Sequence, residues 1–198
     1  MLAYPIEAFQ AATSIDRIGI VCRKEDRSEV EALVKTCSAS KVGFVVPGGK
    51  ERQDSVFEGV RALPQDAELV AVHDAARALI ESKLIDAVVQ KAETSGAAIL
   101  AIHTHDTIKV ADNGVVAQTL DRGKLWSAQT PQVFKKEILS KALSKAKEEH
   151  VTGTDCASLV ERIGVPVFLV ESSPDNLKIT TIPDIAVAES ILKRRVGV

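Results

Sequence analysis

Several polar residues sit where apolar runs stop. The clearest case is Leu69-Val70-Ala71-Val72 followed by His73-Asp74-Ala75-Ala76-Arg77. A short continuous apolar run is the mark of a strand buried on both faces of a parallel sheet. In such sheets ligands bind beyond the carboxyl ends of the strands. A carboxylate there can hold a divalent cation, and an Arg three residues on can hold a phosphate. The two alanines leave room for a ligand against the backbone. Taken alone, a strand-end Asp more often caps a turn and an Arg is more often solvated.

Other stretches add weight to the ligand reading. They are Gly48-Gly49 with Arg52 and Ser55; Asp106, Thr107 and Lys109; Arg122; Thr130; Thr154 and Asp155; and Asp175 with Lys178. Cations, hydroxyls and carboxylates gathered along one edge suit a phosphorylated substrate and Mg²⁺. The glycine pair can bring backbone N–H groups against a base or phosphate, though an ordinary turn accounts for it equally well. His73 beside Asp74 invites a general-base role, but a His there more often packs or hydrogen-bonds. His103 and His105 alternate without a Cys or further His to complete a metal set.

The elements that must position these residues follow from periodicity. Ile6, Phe9, Ala8 and Ala12 form the apolar face of an opening helix. Ile18 to Val21 and Val42 to Val46 read as strands. Ser28 to Glu31 has capping-box spacing ahead of a helix facing Val30, Leu33, Val34 and Cys37 inward. Gln53 to Leu63 reads as a helix, and Ser82 caps another that Gly96 ends. Ala97 to Ile102 is a fourth strand. Strands alternating with helices predict a Rossmann-like, doubly wound, mostly parallel α/β sheet.

The alternation then breaks. Thr107 to Val110 and Val115 to Gln118 flank Asp112-Asn113-Gly114, a strong hairpin signal, so a β-arm spanning about 104–124 is expected to protrude. Leu125 to Thr130 returns to the sheet and Pro131 ends that segment. Helices from about Lys135 to Glu148 and from Thr154-Asp155 to about Ile163 follow. Val165 to Val170 is a strand, Asn176 to Thr180 is extended, and Thr181-Ile182-Pro183-Asp184 opens the last helix. The economical organisation is one domain over 1–198.

Composition narrows the function classes. The chain has 198 residues, 45% of them hydrophobic, and a formal net charge of −2, with no basic excess to recruit nucleic acid. Trp126 and Tyr4 are too few to stack single-stranded bases. No apolar stretch reaches membrane-span length and no signal peptide is visible. Cys22, Cys37 and Cys156 lack metal-ligand spacing and read as reduced thiols, which points to the cytoplasm.

The quoted residues resemble a known family in order and over nearly the whole chain. Gly48-Gly49 through Arg52-Gln53-Asp54-Ser55-Val56, His73-Asp74-Ala75-Ala76-Arg77, Asp106-Thr107-Ile108-Lys109 and Thr119-Leu120-Asp121-Arg122 carry the first part. Leu125-Trp126-Ser127-Ala128-Gln129-Thr130-Pro131-Gln132, Thr154-Asp155 with Ala157-Ser158, and Asp175-Asn176-Leu177-Lys178-Ile179-Thr180 carry the rest. Together they resemble the 2-C-methyl-D-erythritol 4-phosphate cytidylyltransferases. The resemblance implies a homodimer whose arms help build each other's sites. It implies binding of CTP and a sugar-alcohol phosphate with Mg²⁺, and attack of the substrate phosphate on the α-phosphorus with loss of diphosphate. It puts Gly49, Arg52 and Ser55 on the nucleotide side and Asp74 at the ribose and metal–phosphate assembly, with Asp175 as a second metal-side carboxylate. Arg77, Thr107, Thr130 and Thr154, with Arg122 and Lys178, fall to the acceptor, and Arg122 and Lys178 aim the nucleophile. Thr107 and Arg122 are expected to act across the dimer.

Two departures from the family pattern shape the expectations. Ala78 stands where the family has Pro after the Arg. The family opens with a strand and a Gly-rich loop whose Arg and Lys bind the triphosphate, and this sequence begins in what corresponds to the first helix. An N-terminally truncated domain that has lost the triphosphate clamp and catalyses poorly or not at all is therefore expected. Two alternatives stay open: a cytidylyltransferase for ribitol 5-phosphate, and a non-catalytic remnant.

Overall fold

A computed structural model describes residues 1–197. In chain order the elements are α1 (Ala3–Ala11), β1 (Ile18–Cys22), α2 (Arg27–Thr36), β2 (Val42–Pro47), α3 (Arg52–Arg61), β3 (Leu69–Val72), α4 (Ser82–Ser95) and β4 (Ala97–His103). They continue with β5 (Lys109–Asp112), β6 (Val115–Thr119), β7 (Trp126–Lys135), α5 (Lys136–Glu148), α6 (Cys156–Arg162), β8 (Phe168–Glu171) and α7 (Ile182–Val196).

The centre is a four-stranded sheet in the order β3-β7-β4-β8. β3, β4 and β8 run one way and β7 alone runs against them. β1 and β2 form a separate parallel pair. Helices cover the central sheet on both faces, as the strand–helix alternation requires. Ala98, Leu100 and Val133 point to one face, where Ile85, Val88, Val89 and Ala92 of α4 meet Phe9 and Ala12 at α1. Ala97, Ile99 and Phe134 point to the other, against Leu139, Ala142 and Leu143 of α5 and Leu159 and Val160 of α6. Strand alternation thus divides one apolar run between two cores. Each fully enclosed Leu, Ile or Phe contributes about 2 kcal/mol from water exclusion. Gly96 adopts φ 83° to end α4, a left-handed turn that glycine enters without a Cβ clash.

The structure corrects several sequence expectations. β3 is an edge strand of the four-stranded sheet, and of its residues only Val70 is fully buried. The strands enclosed on both faces are β4 and β7. Pro131 does not end a strand, because β7 runs through it to Lys135. Pro lacks a ladder N–H, and the β4–β7 register accordingly slips there, from Ile99 opposite Gln132 to Ala101 opposite Ala128. Ser28 and Glu31 form no capping box: α2 starts at Arg27 after Asp26, and Glu31 instead takes Arg27 Nε at 2.7 Å. Glu81 precedes α4 in place of Ser82, and β8 is shorter than the apolar run that predicted it.

The arm appears as expected. β5 and β6 pair antiparallel around Asn113-Gly114, both residues at positive φ, and every residue of the two strands is exposed.

Candidate active site

Asp74 lies just past the end of β3 and is gripped by two cations. Arg52 Nε, from the first turn of α3, is 2.9 Å from Oδ1, and Lys178 Nζ is 2.9 Å from Oδ2. The Asp74 side chain is 18% exposed, open enough to meet a ligand and enclosed enough to limit screening. Burial alone would push its carboxyl up, but Lys178 and Arg52 outweigh that and hold it below 3.8. It is a carboxylate at neutral pH.

Arg77 closes the same loop and, among the described residues, has no anionic hydrogen-bond partner. Its NH1 donates to the Asn176 carbonyl at 2.7 Å and NH2 to the Ala128 carbonyl at 3.3 Å. Its Nε is buried and unpartnered, and among the described residues no carboxylate forms an ion pair with it. Burial lowers its pKa, but guanidinium remains charged. A half-enclosed cation lacking a counter-ion is a place for an anion.

Buried amides fix this arrangement. Asn176 Nδ2 donates to Gln129 Oε1 and to the Thr130 carbonyl, at 2.9 and 3.0 Å. The same Asn176 carbonyl receives Arg77, so the segment bearing Lys178 and the loop bearing Arg77 are tied together. Thr130 Oγ1 accepts the Asp74 N–H at 3.1 Å and contacts His73 Nδ1 at 3.1 Å. Burial holds the His73 pKa down at about 4, so the imidazole is neutral and is no general base poised near pH 7.

The glycine pair packs closely against α3. A Cβ on Gly49 would sit 2.2 Å from Asp54 Cβ, and one on Gly48 would sit 2.5 Å from Ser55 Oγ. The pair lets the chain close against α3, and Gly49 N–H already donates to Ser55 Oγ at 3.2 Å. Arg52 also points NH1 at Cys156 Sγ, 3.7 Å away. Thr154 is exposed on the rim of a cavity of about 180 Å³ between the first turn of α3 and the Thr152–Cys156 loop.

Thr107 and Arg122 belong to the base of the arm. Arg122 NH1 donates to the His105 carbonyl at 2.8 Å, and Thr107 is exposed. Asp175 faces Arg194 and Arg195 of α7, while Asp74 is held by Arg52 and Lys178. Among the described residues no group of three His, Cys, Asp or Glu could hold a metal ion. Were Mg²⁺ to bind here, Asp74 would be a single carboxylate offered to it, a donor set that suits a metal carried in by phosphates.

Gln132, quoted in the family motif, carried no role in the sequence reading. It is 1% exposed, its Oε1 accepts Cys156 N–H and Ala157 N–H at 3.0 and 3.2 Å, and its Nε2 donates to Asp155 Oδ2 at 2.7 Å. A strand glutamine thus caps α6. Its place in the quoted motif and its inward position within β7 were the signals for it.

Comparison with known proteins bears on the whole of this arrangement. The sequence matches the family described as 2-C-methyl-D-erythritol 4-phosphate cytidylyltransferase over residues 1–194. The chain belongs to that family. Relatives of that name in Synechococcus elongatus and Desulforamulus reducens are each 43% identical, over 98% of this chain and 84% of their own length. The 4-diphosphocytidyl-2C-methyl-D-erythritol synthase structure from Anaerococcus prevotii superposes with a TM-score of 0.91 at 29% identity. That match covers 97% of this chain and 85% of the other. The Thermus thermophilus cytidylyltransferase gives 0.78 at 28%, covering 95% and 86%. The methylerythritol phosphate cytidylyltransferase fold thus extends to the mixed sheet described above. No helix among the described residues is long and apolar enough to cross a membrane.

Proposed function

We propose that this protein transfers CMP from CTP to 2-C-methyl-D-erythritol 4-phosphate and releases diphosphate, as the family and its relatives' names imply. The observation that carries the reading is the pairing in one loop of a doubly clamped carboxylate, Asp74, with a cation, Arg77, that has no ion-pair partner among the described residues. Asp74 serves the metal–nucleotide side and Arg77 the acceptor phosphate. Lys178, hydrogen-bonded to Asp74, lies between these tasks and aims the nucleophilic phosphate oxygen. Gly49, Arg52 and Ser55 are assigned to the nucleotide, and Thr107, Thr130 and Thr154 to the acceptor, by the family resemblance; Thr130, buried with its hydroxyl on Asp74 N–H and His73, would act through that loop.

The chemistry needs no covalent enzyme intermediate. The acceptor phosphate and the triphosphate repel each other, so rate comes from positioning and charge neutralisation. Asp74 would hold Mg²⁺ carried in with CTP, and the metal would supply neutralisation of phosphate charge. Arg77 holds the attacking phosphate by charge-assisted hydrogen bonds, and the Asn176 and Ala128 carbonyls keep that guanidinium from collapsing onto Asp74. Arg122 acts from the arm, and the family resemblance favours a homodimer in which it reaches the partner's site. A cytoplasmic location fits the free cysteines.

The test is diphosphate release from CTP with methylerythritol phosphate and, in parallel, with ribitol 5-phosphate. The reading expects at least a tenfold preference for the first, on the order of the discrimination a differently shaped acceptor pocket supplies. Preference for ribitol 5-phosphate would support the rival transferase. No heat of CTP binding by calorimetry would support the non-catalytic alternative.

A further inference from the structure

A directed chain of hydrogen bonds joins the two ends of the Asp74–Arg77 loop. The Asp74 N–H donates to Thr130 Oγ1 at 3.1 Å, so that oxygen accepts there and its own hydrogen is free to donate. His73 Nδ1 lies 3.1 Å from the same oxygen. At the far side of the ring, Nε2 lies 3.1 Å from the Arg77 carbonyl, which can only accept. Nε2 therefore carries the hydrogen and Nδ1 the lone pair, one tautomer satisfying both contacts. Phe9 of α1 packs beside the imidazole, ring centroids 5.1 Å apart, and restrains its rotation.

We infer that His73 is a positioning residue for the transfer reaction, setting the spacing between the Asp74 carboxylate and the Arg77 guanidinium through its two ring nitrogens. This rests on the function proposed above, in which those two groups serve the two reactants. His73 touches neither reactant. It fixes the Asp74 backbone through Thr130 and the Arg77 backbone directly. Loss of either tie lets one reactant's anchor drift relative to the other, and a misplacement of about 1 Å can cost on the order of 100-fold in rate.

Two variants separate the ties. His73→Asn places an amide oxygen near Nδ1, keeping an acceptor for Thr130 and losing the reach to Arg77. His73→Gln places an amide nitrogen near Nε2, keeping the donor to Arg77 and losing the acceptor for Thr130. The expected split is an acceptor KM raised on the order of tenfold in His73→Asn with a smaller change in kcat. In His73→Gln kcat falls on the order of tenfold with a smaller change in acceptor KM. Parallel losses in both variants that track thermal stability would mean a packing role and overturn the proposal. An unmodified chain that releases no diphosphate overturns the proposed function instead. The ties are then read from calorimetric binding: His73→Asn weakens methylerythritol phosphate and spares Mg-CTP, His73→Gln the reverse, and equal weakening refutes the positioning role. Imidazole nitrogen NMR of the unmodified chain gives a check that does not depend on variants folding. The Nε2–H tautomer is expected, and Nδ1–H overturns the proposal.

Discussion

Lys178 Nζ stands 2.9 Å from Oδ2 of Asp74, the oxygen that Arg52 leaves free. One carboxylate thus holds a cation from α3 and a cation from the extended segment before α7. Were a metal-bound nucleotide to engage Asp74, Arg52 and Lys178 would be the cations left to face its phosphate oxygens. The carboxylate thus holds two of the site's cations in place.

Asp74→Asn should lower turnover by about 100-fold or more, because it removes the anionic anchor while leaving the shape intact. The cost in stability should be about 1 kcal/mol or less, since Arg52 and Lys178 are 36% and 44% exposed and solvate readily once released. Diphosphate release and denaturant unfolding measure the two quantities. Near-normal turnover would reduce Asp74 to a loop cap.

The arm should mediate a dimer. Val110, Val115 and Val116 are exposed at 44%, 71% and 57%, on strands that pair only with each other among the described residues. Sedimentation at micromolar concentration should give twice the chain mass. Mixing Arg122→Ala chains with Asp74→Asn chains should restore part of the activity that each lacks, provided subunits exchange. A monomer in sedimentation would exclude action of Arg122 across an interface.

Gln132→Leu should destabilise the fold by roughly 2–3 kcal/mol. The substitution keeps the volume but strands the Cys156 and Ala157 N–H groups at the buried start of α6. Urea unfolding should show a lowered midpoint with an unchanged slope. A loss below about 0.5 kcal/mol, the size of an ordinary surface substitution, would show that those groups find other partners.

Acid should weaken the fold through His73. Its folded pKa is depressed from 6.5 to about 4, first by burial and against the pull of the Arg77 carbonyl. The unfolded imidazole therefore takes a proton near pH 6.5, which the folded one refuses until about pH 4. Stability from this group is complete above the unfolded value and is lost as pH falls through that window. With its partial exposure the loss amounts to roughly 2–3 kcal/mol. Unfolding midpoints across the window should decline, and His73→Asn, which takes up no proton there, should flatten the decline. An equal slope in both proteins would place the acid sensitivity elsewhere.

Much of this was written in the one-dimensional pattern. The runs at Leu69 to Val72 and Ala97 to Ile102, the Asn113-Gly114 turn and the Asp155 and Thr181 caps were legible because strand alternation, turn geometry and capping are local properties. So was the gathering of Asp74, Arg77 and Lys178 as candidates, since polar residues at strand ends lack a packing reason.

The sequence by itself thus determined the α/β elements, the arm and the residue types that could serve a phosphorylated ligand. Tertiary structure alone decided that β7 runs against its neighbours and passes through Pro131, that β3 sits at a sheet edge, and that Gln132 caps a helix it is far from in sequence. It also decided that Arg52 and Lys178 meet on Asp74 while Asp175 turns to Arg194 and Arg195. The physical reason is that strand order and ion pairing depend on which distant segments pack together. A charged side chain takes its partner from whatever packing brings within a few ångströms, and spacing along the chain does not encode that distance.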